Sequence, residues 1–210
     1  MAGFGYTDAP QGLQFSRDAW VEHFAAFVDS QTQDKVSIIG NSFGGAIALA
    51  YAIRFPERVD RLVLMGAVGL DFPITQELDQ VWGHVPTVEN MVALMKIFAF
   101  DPALVNDDLA ELRHRAAMRP GVMEAYSSMF AEPRQDALRA LASREDDVRQ
   151  LKVPTLIVHG QDDRVIPVDV SKRLFALLEN SELHLFHNCG HWTQIEKADR
   201  FNTIVGDFLT

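Results

Sequence analysis

The chain has 210 residues, of which 48% are hydrophobic and 23% charged, and its formal net charge is −10. This length suits one sizeable domain, or a domain with an insertion. The acidic balance, without a basic cluster, argues against nucleic acid and membranes as partners, and no apolar stretch approaches the ~18–20 residues of a membrane span. A single cysteine, Cys189, excludes an internal disulfide and predicts a reducing, cytoplasmic location.

The first predicted elements alternate between helix and strand. Ser16 is a candidate N-cap for a helix that runs to about Gln31. A β-branched apolar run predicts a strand over 36–40, a helical pattern covers 43–54, and a second buried strand is predicted over 61–65. Strands that alternate with helices indicate an α/β fold with a parallel sheet and right-handed crossovers.

The first strand leads into the segment Gly40-Asn41-Ser42-Phe43-Gly44, which has the pattern G-x-S-x-G. A strand before this pattern and a helix after it are the context of a nucleophile elbow, where a strained turn exposes the serine hydroxyl. The helix N-terminus also favours negative charge developing there. The alternative interpretation is an ordinary turn between strand and helix, with Ser42 as a capping residue.

The character of the chain changes between residues 70 and 150. Strong β runs are absent, and helical patterns are predicted over 75–82, 87–99, 107–118, 121–130 and 134–142. Most of the aromatic residues and methionines here are expected to pack a helical subdomain, and a minority could line an apolar cavity beneath it. Strand and helix then alternate again: strands over 154–160 and 182–186, and helices over 168–179 and 195–209. The predicted organisation is 1–69, 70–150 and 151–210, with the helical segment inserted into the sheet domain.

A serine nucleophile needs a base, and the base needs a carboxylate that orients it. Asp162 and Asp163 stand just after the strand 154–160, and His191 lies in the loop after the strand 182–186. Residues that follow parallel strands gather at one edge of the sheet. Ser42, an aspartate and His191 should therefore converge, in the chain order typical of α/β-hydrolases.

These motifs resemble the α/β-hydrolases, and more narrowly the meta-cleavage product hydrolases of aromatic catabolism. The resemblance covers essentially the whole chain. The matching segments are Gly40-Asn41-Ser42-Phe43-Gly44-Gly45, Phe55-Pro56-Glu57-Arg58-Val59, Leu62-Val63-Leu64-Met65-Gly66, His159-Gly160-Gln161-Asp162-Asp163-Arg164-Val165-Ile166-Pro167 and Cys189-Gly190-His191-Trp192. The segments Met1-Ala2-Gly3-Phe4-Gly5-Tyr6, Phe72-Pro73-Ile74-Thr75 and Glu111-Leu112-Arg113 resemble the branch that handles alkyl-substituted ring-fission products.

The resemblance implies a role for individual residues. Asp163 rather than Asp162 would be the triad acid, and Phe43 would supply a backbone N–H to the oxyanion hole. Arg113 would hold the substrate carboxylate, which suits an acidic protein that must bind an anion locally; without the family, a surface salt bridge would be the simpler interpretation. Two residues would line the dienoate site, Asn41 and Trp192, although simple packing is the alternative for Trp192.

The family pattern is incomplete in this chain. A complete hydrolase would carry about seventy more residues before Met1, with the first strands and a second oxyanion N–H donor. Without those strands the nucleophile strand has an unpaired edge, which exposes backbone groups and promotes association. We therefore expect either a homo-oligomer that covers this edge or a protein of low stability.

Three functions compete at this point. The first is a cofactor-free hydrolase that cleaves a carbon–carbon bond in 2-hydroxy-6-oxo-hexa-2,4-dienoates; no ligand spacing typical of a metal site is present. The second is a carboxylesterase that uses the same triad on small esters. The third is an inactive fragment that serves as an assembly partner, which the complete triad argues against. His159, at the end of a buried strand, is expected to be structural.

Overall fold

The computed structural model describes residues 1–8 and 12–210. Its sheet has four strands in the order β1-β2-β3-β4, and each neighbouring pair is parallel. The strands are β1 (Val36–Asn41), β2 (Val59–Met65), β3 (Thr155–Gly160) and β4 (Ser181–Phe186). The predicted α/β class and parallel sheet are confirmed, and β1, which leads to Ser42, lies at one edge.

Helix α1 (Arg17–Gln31) begins where the sequence predicts, because Ser16 Oγ accepts a hydrogen bond from the backbone N–H of Ala19. Helix α2 (Phe43–Arg54) follows the turn after β1 and packs tightly against that strand. A Cβ at Gly40 would lie 2.7 Å from the Gly44 carbonyl oxygen. Only glycine therefore permits this close approach of strand and helix.

Six helices lie between β2 and β3, in the region predicted to be helical. Three of them start at capping side chains, since Thr75, Thr87 and Asn106 each accept a hydrogen bond from the N–H three residues later. The sixth was not predicted, because six residues with an acidic first turn are too few to show a helical apolar period. The helices are α3 (Gln76–Trp82), α4 (Val88–Phe98), α5 (Asp107–Ala117), α6 (Val122–Met129), α7 (Arg134–Leu141) and α8 (Glu145–Gln150).

The C-terminal part contains α9 (Val168–Leu177) and two helices where the sequence predicts one. These are α10 (Thr193–Glu196) and α11 (Ala198–Leu209). The single helix predicted over 195–209 is wrong because the backbone at Lys197 leaves the helical region, with φ −128° and ψ 37°. The break redirects the chain immediately after Glu196.

Alternate residues of the central strands face opposite layers of the protein. Leu62, Leu64 and Ile157 belong to the large core beneath the helices, whereas Val63 and Val158 pack on the other face with α11. Strand β3 is buried along its whole length, as expected for a central strand of a parallel sheet covered on both sides. On the edge strand, in contrast, Ile39 is 49% exposed. Within residues 1–8 and 12–210, no helix is long and apolar enough to cross a membrane.

Candidate active site

Ser42 occupies a strained turn between β1 and α2. Its backbone has φ 52° and ψ −117°, a conformation that residues other than glycine rarely adopt. Two backbone hydrogen bonds hold the turn. The Ser42 N–H donates to the Met65 carbonyl at 2.9 Å, and the Ser42 carbonyl accepts from the N–H of Val68 at 3.1 Å. The side chain makes no capping hydrogen bond to α2. The hydroxyl is thus not engaged as a helix cap, in contrast to the alternative interpretation of the sequence.

Two groups beside Ser42 are free to meet a ligand. The N–H of Phe43 is the first of α2 and donates to no atom of the described residues, while its ring is fixed against Phe4 and Trp20 at centroid distances of 4.9 and 4.8 Å. Asn41 Oδ1 is buried and has no hydrogen-bond partner in residues 1–8 or 12–210. A free donor and a free acceptor therefore flank the serine.

His191 and Asp163 form a buried pair. The distance from His191 Nδ1 to Asp163 Oδ2 is 2.7 Å, and the two side chains are 3% and 0% exposed. The other carboxylate oxygen, Oδ1, accepts hydrogen bonds from the backbone N–H groups of Val165 and Ile166 at 2.8 and 3.0 Å. Asp162, in contrast, accepts from the N–H of Cys189. The structure brings Asp163 and not Asp162 to the histidine.

The charge state of this pair follows from its surroundings. Burial alone would raise the pKa of Asp163, but the charge of His191 and hydrogen bonds from His159 and His191 hold that pKa well below its usual range. An ionised carboxylate only accepts hydrogen bonds, so His191 Nδ1 must carry the hydrogen that joins them. When the ring is neutral, this arrangement leaves Nε2 of His191 as the nitrogen without a hydrogen, which is the form that a general base would need.

Gly66 links the serine turn to the histidine–aspartate pair. The preceding residue is Met65, whose carbonyl accepts the hydrogen bond from the Ser42 N–H. The N–H of Gly66 donates to the Val158 carbonyl at 3.1 Å. A Cβ built at this position would lie 3.1 Å from both Asp163 Oδ2 and His191 Nδ1. The end of β2 therefore lies against the histidine–aspartate pair on one side and holds the turn at Ser42 on the other.

We expect a Gly66→Ala substitution to lower kcat by about 10²-fold, because the methyl group would displace the pair from its working geometry. A positive φ of 45° at this position also adds backbone strain for alanine, which should reduce the free energy of unfolding by about 1–2 kcal/mol. Steady-state kinetics and urea unfolding would measure the two effects.

The matched control is Gly206→Ala in helix α11, where a Cβ would meet no atom within 4 Å. Alanine should raise the free energy of unfolding there by about 0.5–1 kcal/mol and leave kcat unchanged. Equal kinetic effects of the two substitutions would show that Gly66 has no special relation to the site.

Aromatic side chains connect His191 to Arg113 on α5. The Phe98 ring stacks on His191 and on Trp192, both at a centroid distance of 5.5 Å. Arg113 lies over the rings of Phe98 and Trp192, 6.0 and 5.8 Å from their centroids. Partial desolvation lowers its pKa, against an opposing effect of Tyr126. No described carboxylate is close enough for an ion pair with it, so the salt bridge considered as an alternative is not formed.

A cavity of about 320 Å³ opens beside these aromatic rings. Phe98, which stacks on His191, forms part of its wall, and so does Phe4, which packs on Phe43. Arg113 supplies the one guanidinium group in an otherwise mostly apolar lining. The other lining residues are Gly5, Val81, His84, Met91, Leu94, Ala116, Ala117, Val122, Met123 and Tyr126. Such a cavity suits an elongated apolar ligand with one anionic end.

The end of α4 is joined by hydrogen bonds to the loop that carries His191. The N–H of His191 donates to the Phe98 carbonyl at 2.7 Å. Glu196 accepts from the N–H of Gly190 with one oxygen and from the N–H groups of Phe100 and Asp101 with the other, at 2.8, 2.8 and 3.2 Å. We call these four hydrogen bonds the histidine clamp.

A second tie joins the loop of Asp163 to the same helix end. The guanidinium of Arg164 donates to the backbone carbonyls of Lys96 and Ala99. Neither Glu196 nor Arg164 is predicted from the sequence, because each bridges segments more than sixty residues apart. In the described part of the chain, no group of three histidine, cysteine or carboxylate side chains is arranged to hold a metal ion.

Comparison with known proteins gives the same architecture. Residues 1–198 match the family described as having the alpha/beta hydrolase fold. The chain is 54% identical over its full length to the 2-hydroxy-6-oxo-2,4-heptadienoate hydrolase of Pseudomonas putida F1, and covers 76% of that protein. It is 51% identical to the 2-hydroxymuconate semialdehyde hydrolase of Pseudomonas sp. CF600 and covers 74% of it. This chain is a member of the meta-cleavage product hydrolases. The membership makes it an enzyme of the α/β-hydrolase family.

The solved structures support the same assignment. A mutant of the meta-cleavage product hydrolase CumD superimposes with a TM-score of 0.97 at 51% identity. The superposition covers all of this chain and 77% of the CumD chain. A serine-to-alanine mutant of CumD from Pseudomonas fluorescens IP01, complexed with acetates, also gives 0.97 at 50% identity. Meta-cleavage product hydrolases are serine-dependent and cleave a carbon–carbon bond, the reaction class expected from the sequence.

Proposed function

We propose that this meta-cleavage product hydrolase acts on 2-hydroxy-6-oxo-hexa-2,4-dienoates with a small alkyl substituent. Ser42, His191 and Asp163 would form its catalytic triad. The observation that carries the proposal is the 2.7 Å contact between His191 and Asp163. Gly66 lies between this pair and the strained turn at Ser42. The relatives named for heptadienoate and muconate semialdehyde hydrolysis support this substrate class.

The proposed chemistry assigns one task to each group. The dienol is first converted to its keto form, so that the carbon leaving group departs as a stabilised carbanion equivalent. His191 Nε2 accepts the proton of the attacking hydroxyl group, and Asp163 stabilises the imidazolium that results. The Phe43 N–H donates to the oxygen of the attacked carbonyl as negative charge develops on it. The proton held by His191 then passes to the leaving carbon fragment, and water completes the hydrolysis.

Substrate orientation would come from the cavity wall. Arg113 has no carboxylate partner among the described residues and can bind the dienoate carboxylate through two parallel N–H donors. Asn41 and Trp192 are proposed to line the dienoate: Asn41 Oδ1 is a buried acceptor without a partner, and Trp192 packs against Phe98 beside Arg113. The mostly apolar remainder of the cavity suits an alkyl group.

The test is turnover of a 2-hydroxy-6-oxo-dienoate, followed by its loss of visible absorbance, beside hydrolysis of a short p-nitrophenyl ester. We expect dienoate turnover in the wild-type protein and its loss in Ser42→Ala. Ester turnover alone would favour the carboxylesterase, since an ester needs only attack and departure of an alkoxide. Absence of both activities in a folded protein would favour the inactive assembly partner.

The partner and location of the chain remain predictions. The outer edge of β1 pairs with no described strand, and Ile39 is half exposed on it. We propose that a second copy covers this edge, and a stable monomer in sedimentation analysis would remove that proposal. A cytoplasmic location stays a prediction from the single cysteine.

A further inference from the structure

His159, at the end of β3, lies wholly inside the protein against the Asp163 carboxylate. It is 0% exposed, and its Nε2 lies 3.2 Å from Asp163 Oδ2 and 3.0 Å from the Ile166 carbonyl oxygen. On the other side of the ring, Nδ1 lies 2.6 Å from Ser171 Oγ on α9. Both ring nitrogens therefore have polar partners, as a buried imidazole requires, and one of those partners is the Asp163 carboxylate.

These neighbours determine which ring nitrogen carries the hydrogen. A backbone carbonyl and an ionised carboxylate have no hydrogen to donate, so Nε2 must be the donor. Nδ1 can then accept the hydroxyl hydrogen of Ser171, and both nitrogens of the ring are satisfied. The single Nε2–H of His159 therefore lies between two acceptors, the Ile166 carbonyl oxygen at 3.0 Å and Asp163 Oδ2 at 3.2 Å, and is shared by them.

The two oxygens of Asp163 are held in different ways. Oδ1 is fixed by the backbone N–H groups of Val165 and Ile166. Among the residues that the structure describes, the polar neighbours of Oδ2 are two side-chain atoms, His191 Nδ1 at 2.7 Å and His159 Nε2 at 3.2 Å. Without His159, the only side chain left to hold Oδ2 would be the histidine that the carboxylate is meant to orient.

We propose that His159 is a positioning residue for the triad: its Nε2–H holds Asp163 Oδ2 toward His191 and shares the carboxylate charge with it. The proposal rests on the triad role of Asp163 proposed above. In the described part of the chain, His159 is not among the residues that line the cavity, and its link to the triad is the contact with Asp163. The ionisable side chains around that carboxylate are His159, His191 and Cys189.

The first experiment needs no substitution. Nitrogen-15 NMR of the resting protein reports which nitrogen of His159 is protonated. A hydrogen on Nε2 and none on Nδ1 is expected; a hydrogen on Nδ1 alone would overturn the proposal, because Nε2 could not then donate toward Asp163.

The second experiment compares His159→Asn with His159→Gln. The asparagine amide lies where Nδ1 does and stops short of Asp163, whereas the glutamine amide reaches the position of Nε2. We expect the asparagine variant to lower kcat about tenfold with an unchanged KM, since one hydrogen bond to a charged group is lost. The glutamine variant should restore most of that loss.

A spectroscopic readout separates positioning from general stability. The hydrogen between His191 Nδ1 and Asp163 should give a low-field proton resonance, assigned by its loss in Asp163→Asn. In His159→Asn this resonance should move further downfield, because the carboxylate has one donor fewer and binds His191 more strongly. An unmoved resonance together with an unchanged kcat would overturn the proposal.

The matched control is His184→Asn on the neighbouring strand β4, where the side chain is 36% exposed. It should change neither the resonance nor kcat. Since the NMR measurements need no substrate, they test His159 even if the dienoate assay were negative, and the two proposals can fail separately.

Discussion

Asp163→Asn is expected to lower kcat by about 10⁴-fold while the protein remains folded. The structure specifies how the asparagine would sit. The backbone N–H groups of Val165 and Ile166 require an acceptor at the position of Oδ1, so the amide oxygen would take that place. The amide nitrogen would then point at His191 Nδ1, which must become the unprotonated nitrogen of the ring. His191 Nε2 would carry the hydrogen and could not accept one from Ser42.

The same substitution also sets the amide nitrogen against His159 Nε2, so that two donors face each other. This second conflict should add to the loss of kcat that the change of tautomer causes. A spectrophotometric record of the dienoate absorbance over several hours would detect the residual rate.

The matched control for Asp163→Asn is the adjacent Asp162→Asn. Asp162 is exposed and accepts only the N–H of Cys189, so we expect kcat within about threefold of the wild type. If Asp162→Asn produced the larger loss, the assignment of the triad acid would be wrong.

Arg113→Met is expected to lower kcat/KM for the dienoate by about 10²-fold, because it removes charge-assisted hydrogen bonds to the substrate carboxylate. Methionine retains an unbranched apolar chain that can still pack over Phe98 and Trp192. Hydrolysis of a neutral p-nitrophenyl ester, which has no carboxylate, should change by less than about threefold. The ratio of the two kcat/KM values therefore measures the role of Arg113 independently of the triad.

Arg115→Met provides the control for Arg113, since it removes an exposed arginine from the same helix. It should leave the ratio of dienoate to ester turnover unchanged. Arg113→Lys keeps the charge but not the paired N–H donors, and should recover only part of the lost activity. Equal losses on ester and dienoate in Arg113→Met would assign that arginine to packing instead.

The parts of the fold that sequence predicts best depend on local interactions. Ser16, Thr75 and Thr87 begin helices because each side chain accepts an N–H three residues along the chain. Such contacts can be predicted from short stretches of sequence, and so can the turn at Ser42. The position of His191 beside Asp163 also followed, because parallel strands bring their ends to one edge.

The contacts that sequence analysis missed join distant segments. Glu196 accepts a hydrogen bond from the N–H of Phe100, 96 residues away along the chain, and Arg164 donates to the carbonyl of Lys96, 68 residues away. Neither contact follows from the periodicity of apolar residues or from a motif. The break at Lys197 was missed for the same reason, because it depends on tertiary contacts of the preceding turn rather than on local propensity.

The histidine clamp has a consequence for how this enzyme could diversify. Phe98 forms part of the cavity wall, and its carbonyl also holds the N–H of His191. The helices between β2 and β3 therefore cannot be replaced by those of another protein to change substrate specificity without also affecting His191. A graft that shortened or rotated α4 would move His191, the proposed general base, together with the cavity wall. Variation that keeps the enzyme working should concentrate on side chains that face the cavity, while the backbone at 98–101 stays fixed.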